Sequence, residues 1–175
     1  IVRSQLVAPR GIARTFTGDI TAAVTAALPY TLTKGQRLAV GDILHDLAAP
    51  ERMSRLVQGD VGAGKTVVAL MAMAAVAESG AQSAMMAPTE LLAAQHYRSL
   101  APICVKAGLG IELLTGKMPA GDRRAALERL RTGESHVAVG THALFQSGVE
   151  FHNLGLTVVD EQHRFGVHQR LALTE

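Results

Sequence analysis

Leu56-Val57-Gln58-Gly59-Asp60-Val61-Gly62-Ala63-Gly64-Lys65-Thr66 is the stretch that decides the fold of this 175-residue chain. Gly59, Gly64, Lys65 and Thr66 meet the P-loop spacing Gly-x-x-x-x-Gly-Lys-Ser/Thr. Each residue type has a physical reason to be there. The loop Gly59, Asp60, Val61, Gly62, Ala63, Gly64 can curl so that successive backbone N–H groups face one phosphate chain. Gly62 and Gly64 supply backbone angles and a close approach that a side chain would block. Lys65 can reach the β- and γ-phosphates of a nucleotide as a point charge. The Thr66 hydroxyl suits Mg2+, a hard ion that takes oxygen ligands and substrate phosphates. The flanks fit as well. Met53 to Gln58 reads as a short buried strand, and Val67 to Ala77 is apolar on every side, which predicts a buried helix with its positive end at the phosphates.

The rest of the chain extends this pattern. Hydrophobic residues make up 48% and aromatics 3%, so the core is built from Ala, Val, Leu and Met, as suits a parallel α/β domain. The length predicts one domain with a sizeable core. A net charge of +2 does not by itself imply nucleic acid. The single cysteine, Cys104, excludes an internal disulfide, fits a reducing cytoplasm, and falls in a helical apolar pattern that predicts core packing. No apolar run is long enough to span a bilayer. Residues 1–20, with Arg3, Pro9, Arg10, Gly11, Arg14 and Gly18, read as a linker or the tail of something upstream, leaving 21–175 as the domain.

Helices are expected over Thr21 to Leu28, from an N-cap at Thr33 to Leu47, over Thr89 to Ala107, and over Pro119 to Arg131. The second should bury Leu38, Val40, Ile43, Leu44 and Leu47, while the arginines of the last read as a solvated face. Strands are expected at Gln82 to Ala87, Gly110 to Thr115, His136 to Gly140 and Gly155 to Val159. Strands alternating with helices predict a mainly parallel sheet covered on both faces, with ligands outside the carboxyl ends of the strands. Thr157-Val158-Val159-Asp160-Glu161 delivers two carboxylates to such an end. Asp160 is placed to hold Mg2+, directly or through water, and Glu161 to orient or deprotonate an attacking water.

At these residues a family resemblance becomes specific. Asp160-Glu161-Gln162-His163 resembles the Asp-Glu-x-His motif of superfamily-two helicases, and residues 160–170 resemble the RecG family of DNA translocases within them. Leu28-Pro29-Tyr30-x-Leu32-Thr33-x-x-Gln36, the P-loop, Ala87-Pro88-Thr89-Glu90-Leu91-Leu92-Ala93-x-Gln95-His96 and Val139-Gly140-Thr141-His142-Ala143-Leu144 are similar to further motifs of that family. The resemblance covers about residues 28–173. It implies a RecA-like P-loop NTPase domain using ATP and Mg2+, with DNA as partner. Gln36 would read the adenine edge, and Tyr30 would stack on the base or pack in a turn. Pro88, Thr89 and Glu90, Thr115, Gly116 and Lys117, and Gly140, Thr141 and His142 would lie along the DNA backbone, where contacts carry no sequence information. Gln162 and His163 would couple the two ligands. It also implies a second RecA-like domain with an arginine finger and an upstream wedge domain, neither found in these residues. The chain taken alone is therefore expected to bind Mg-ATP weakly and hydrolyse it poorly. The alternatives are a transcription-repair coupling type of translocase, a P-loop kinase or small-molecule ATPase, and a non-catalytic nucleotide-binding module.

Overall fold

The computed structural model describes residues 2–8, 13–59 and 64–160. Six strands form one sheet, β1 Val2–Val7, β2 Ser54–Gly59, β3 Gln82–Met86, β4 Ile111–Leu114, β5 Val137–Gly140 and β6 Leu154–Val159. Their order is β2-β1-β6-β3-β5-β4. β6, β3, β5 and β4 pair in parallel, as buried apolar strands joined by helices should. Among the described residues, five α-helices cover the sheet: α1 Asp19–Ala27, α2 Lys34–Ala48, α3 Lys65–Glu78, α4 Glu90–Lys106 and α5 Ala120–Thr132.

Alternation along the strands divides the core in two. Met85, Val137, Val139, Leu156 and Val158 join the larger cluster with residues of α1 to α4. Ala84, Met86, Leu114, Ala138 and Val159 pack with Ala126 and Leu130 of α5 and with Leu144. The expected two-faced α/β arrangement is therefore present. Helix α3 buries every residue from Val67 to Ala77, as its uniform apolarity predicts. Its last residue, Glu78, also caps α1. The Glu78 carboxylate accepts from the N–H groups of Gly18 (2.9 Å) and Thr21 (2.7 Å), because Gly18 at the N-cap has no side chain to do so. Cys104 is buried, and burial pushes its thiol up to about 11, so it packs as a small apolar group.

Four sequence expectations need correction. Residues 2–7 are not linker. They form β1, antiparallel to both β2 and β6, so they belong to the same sheet as the domain assigned to 21–175. Local sequence gives this no sign, since the pairing residues are far apart in the chain. Next, β2 is an edge strand, and Leu56 is 42% exposed where a buried strand was expected. In α2, Val40, Ile43 and Leu47 are buried but Leu38 is 61% exposed. Finally, Arg129 is no merely solvated arginine. It makes a two-pronged bond to Glu112 of β4, at 2.5 and 3.1 Å. A short 3-10 helix, His142–Phe145, was not anticipated.

Two stability measurements follow from this packing. Leu70→Ala, at a fully buried site, should cost about 2–5 kcal/mol in urea unfolding, and Leu38→Ala at most about 0.5 kcal/mol. Equal costs would contradict the assigned faces of α2 and α3. His136 gives a pH signature. Burial lowers its pKa, and its Nδ1 accepts from the Gly110 N–H at 2.9 Å, which only the neutral ring can do. The unfolded chain therefore binds the proton more readily. This contribution is complete above the unfolded pKa of about 6.5 and is lost as pH falls below it. Wild type should lose more stability than His136→Gln between about pH 7 and 5.5. Equal losses would remove His136 from the account.

Candidate functional site

Every described candidate residue beyond Gln36 and Tyr30 lies where a strand leaves the sheet or a helix begins. Gly59 ends β2 and Gly64 is the N-cap of α3. Gly64 has φ +77°, a left-handed conformation that glycine adopts without strain. A Cβ there would stand 2.0 Å from Gln36 Nε2, so a side chain at this point would push the Gln36 amide aside. Lys65 and Thr66 open α3, where the helix leaves its first N–H groups without helical partners. Asp60, Val61, Gly62, Ala63, Glu161, Gln162 and His163 lie outside the described residues.

Gln36 comes to this corner through the start of α2. Thr33 and Gln36 form a reciprocal capping box. The Thr33 hydroxyl accepts from the Gln36 N–H (3.2 Å), and Gln36 Oε1 accepts from the Thr33 N–H (2.8 Å). Thr33, Gln36, Ala39, Gln58 and Lys65 then line one cleft of about 250 Å³. The structure thus brings Gln36, 29 positions before Lys65 in the numbering, beside it. Tyr30 is 52% exposed, so it is not a core residue, and it is not among the residues lining this cleft.

Asp160 follows β6 directly. Its N–H donates to Met86 O (2.8 Å), which ties it to the end of β3. Its carboxylate is held on both oxygens. The buried Ser4 hydroxyl donates to Oδ1 (3.0 Å), and His96 Nε2 meets Oδ2 at 2.6 Å. The side chains of His96 and Asp160 are only 15% and 13% exposed. Sequence reasoning gave His96 no role, since a lone histidine on a helix carries no signal of a partner 64 positions away.

The remaining candidates share the same edge. Ala87 N–H donates to Gly140 O (2.8 Å), joining the ends of β3 and β5. A Cβ on Gly140 would lie 2.6 Å from Leu114 O, so a side chain there would force β4 and β5 apart. Pro88 leads to Thr89, whose hydroxyl caps α4 by accepting from the Leu92 N–H (3.2 Å). The Glu90 carboxylate accepts from the Gly116 N–H (2.7 Å), linking the start of α4 to the Thr115-Gly116-Lys117 turn. Thr141 is 6% exposed, and His142 is the exposed member of that pair.

Oxygen dominates the donor set. Thr66 offers a hydroxyl and Asp160 a carboxylate, and no group of three or more His, Cys, Asp or Glu occurs among the described residues. Such a set fits Mg2+, which keeps waters and takes phosphate oxygens, and does not fit a zinc cage.

The DEAD/DEAH box helicase family matches residues 33–175. An ATP-dependent DNA helicase RecG of Aquifex aeolicus is 48% identical over 148 residues, covering 85% of this chain and 19% of that protein. The Streptococcus pneumoniae RecG is 46% identical over 165 residues, covering 94% and 24%. The structure of RecG bound to a three-way DNA junction superimposes with a TM-score of 0.77 and 39% identity, over 84% of this chain and 20% of that one. The chain spans about one fifth of the length of the relatives it matches.

The Glu90–Gly116 bond predicts a measurable effect. Glu90→Ala should speed amide exchange at Gly116 by about fivefold or more, the loss of roughly 1 kcal/mol, and Glu90→Gln should restore most of the protection. Unchanged exchange in Glu90→Ala would mean that the turn holds its shape unaided.

Proposed function

The chain belongs to the DEAD/DEAH box helicase family, and from that premise we propose that it is the ATP-binding motor domain of an ATP-dependent DNA helicase and translocase of the RecG type. The observation that carries this reading is the shared cleft of Gln36 and Lys65 at the start of α3. One end of the cleft offers an amide suited to a base, and the other a cation suited to phosphates. α3 also packs against β6, the strand that delivers Asp160.

The roles follow from chemistry. Gln36 Oε1 has two lone pairs, so it can keep the Thr33 N–H and still accept from the adenine amino group. Nε2 supplies the matching donor. Gly59, Asp60, Val61, Gly62, Ala63 and Gly64 wrap the phosphates with backbone N–H groups, and Lys65 neutralises the β- and γ-phosphates. Thr66 and Asp160 would hold Mg2+, which when bound would offset the charge of the phosphates. Glu161 orients the attacking water, and Gln162 with His163 relays the state of this site. Thr89, Gly116, Lys117, Gly140 and His142 present hydroxyl, backbone and cationic groups to a DNA backbone. Glu90 is better suited to shaping that surface through Gly116 than to meeting a phosphate, since like charges repel.

DNA is the partner, in branched or forked form, and its backbone is what the domain grips. The relatives are roughly four times as long as this chain, which supports a second RecA-like domain and a wedge domain as intramolecular partners. An arginine from the second domain completes ATP hydrolysis, worth roughly a thousandfold or more. Fork remodelling and branch migration in DNA repair and recombination are the work of that whole assembly, carried out in the cytoplasm. No helix among the described residues is long and apolar enough to cross a membrane.

The test is ATP hydrolysis by the full-length protein carrying this domain, with and without branched DNA. Branched DNA should stimulate hydrolysis, and Lys65→Ala should reduce it by about a hundredfold or more. DNA-independent phosphate transfer to a small acceptor would overturn the reading in favour of a kinase.

A further inference from the structure

Asp160 is fixed more tightly than its place at a strand end requires. Its backbone is tied to Met86, and each carboxylate oxygen has a hydrogen-bond partner. The partner on Oδ2 is His96, in the second turn of α4, at 2.6 Å. Both side chains are largely shielded from water, so the bond is not averaged away by solvent. An ionised carboxylate only accepts hydrogen bonds, so Nε2 must be the protonated nitrogen. The bond therefore fixes the plane of the carboxylate.

We infer that His96 is a positioning residue for the magnesium site: its Nε2–H fixes the orientation in which the Asp160 carboxylate is presented to Mg2+. The inference rests on the reading of Asp160 as the magnesium-bearing carboxylate. His96 itself touches neither the metal nor the nucleotide. Partners of this kind, one bond removed from the metal, typically change metal affinity by about 10- to 100-fold when lost. The helix that carries His96 is rigid over this span. Thr89 caps it and Glu90 anchors it to Gly116, so the imidazole cannot follow a wandering carboxylate.

The experiment is a Mg2+ titration of this chain in the presence of a fluorescent ATP analogue labelled on the ribose, reading the magnesium concentration that half-saturates the metal-dependent signal. Urea unfolding without metal is measured on the same samples. Four proteins are compared: wild type, His96→Gln, His96→Asn and Asp160→Asn. The glutamine amide nitrogen reaches the place of Nε2, and the asparagine amide is too short to do so. His96→Asn should raise the half-saturating concentration by about tenfold or more, and His96→Gln should stay within about threefold of wild type. Equal shifts in the two variants, or no shift in either while Asp160→Asn weakens the metal response, would overturn the role of His96. An unchanged metal response in Asp160→Asn would instead overturn the reading of Asp160. Should His96→Asn fail to fold, His96→Gln decides alone, because a tenfold shift with the donor retained contradicts the inference.

Discussion

Helix α3 is surrounded by protein from Val67 to Ala77, and the position of the whole phosphate corner depends on that burial. It touches α1, α2, β2, β3 and β6. Five of the eleven buried residues are alanines, which let neighbouring backbones approach closely. Buried apolar area stabilises by about 25 cal/mol per Å², so sliding or rotating this helix would forfeit contacts on every side. Lys65 and Thr66, at its first turn, are consequently held in fixed relation to the end of β6.

The second constraint is the carboxyl edge of the parallel strands. Parallel pairing brings the ends of β3, β4, β5 and β6 to one side, and short bonds then join those ends. Asp160 holds Met86, Ala87 holds Gly140, and Glu90 holds Gly116. Helix α4 spans this edge. Its first turn carries Thr89 and Glu90, and its second carries His96 on Asp160. Glu90 and His96 lie six positions apart on the helix, about 9 Å of rise. The surface assigned to DNA and the acid assigned to Mg2+ thus share one stiff element.

Much of this was legible in the sequence, where local chemistry decides. Gly64 at the start of α3, the Thr33 capping signal and the uniform apolarity of Val67 to Ala77 each determine a local structure with little outside help. The place of Asp160 directly after an apolar strand was legible too, and β6 ends at Val159. What the sequence hid depends on distant partners. β1 exists because Val2 to Val7 fit between β2 and β6, residues roughly 50 and 150 positions away. Leu56 is exposed because strand order puts β2 at an edge, and strand order is not written in the strand itself. Ser4 and His96 gain meaning only from Asp160.

Hydrogen exchange on this chain, alone and with Mg-ATP or branched DNA, tests most directly whether one edge serves both ligands. The account predicts that Mg-ATP slows exchange of the first-turn amides of α3, residues 65–68, while DNA slows exchange near Leu92, Gly116 and His142. Protection by either ligand confined to the opposite edge of the sheet, or to the outer face of α5, would contradict it.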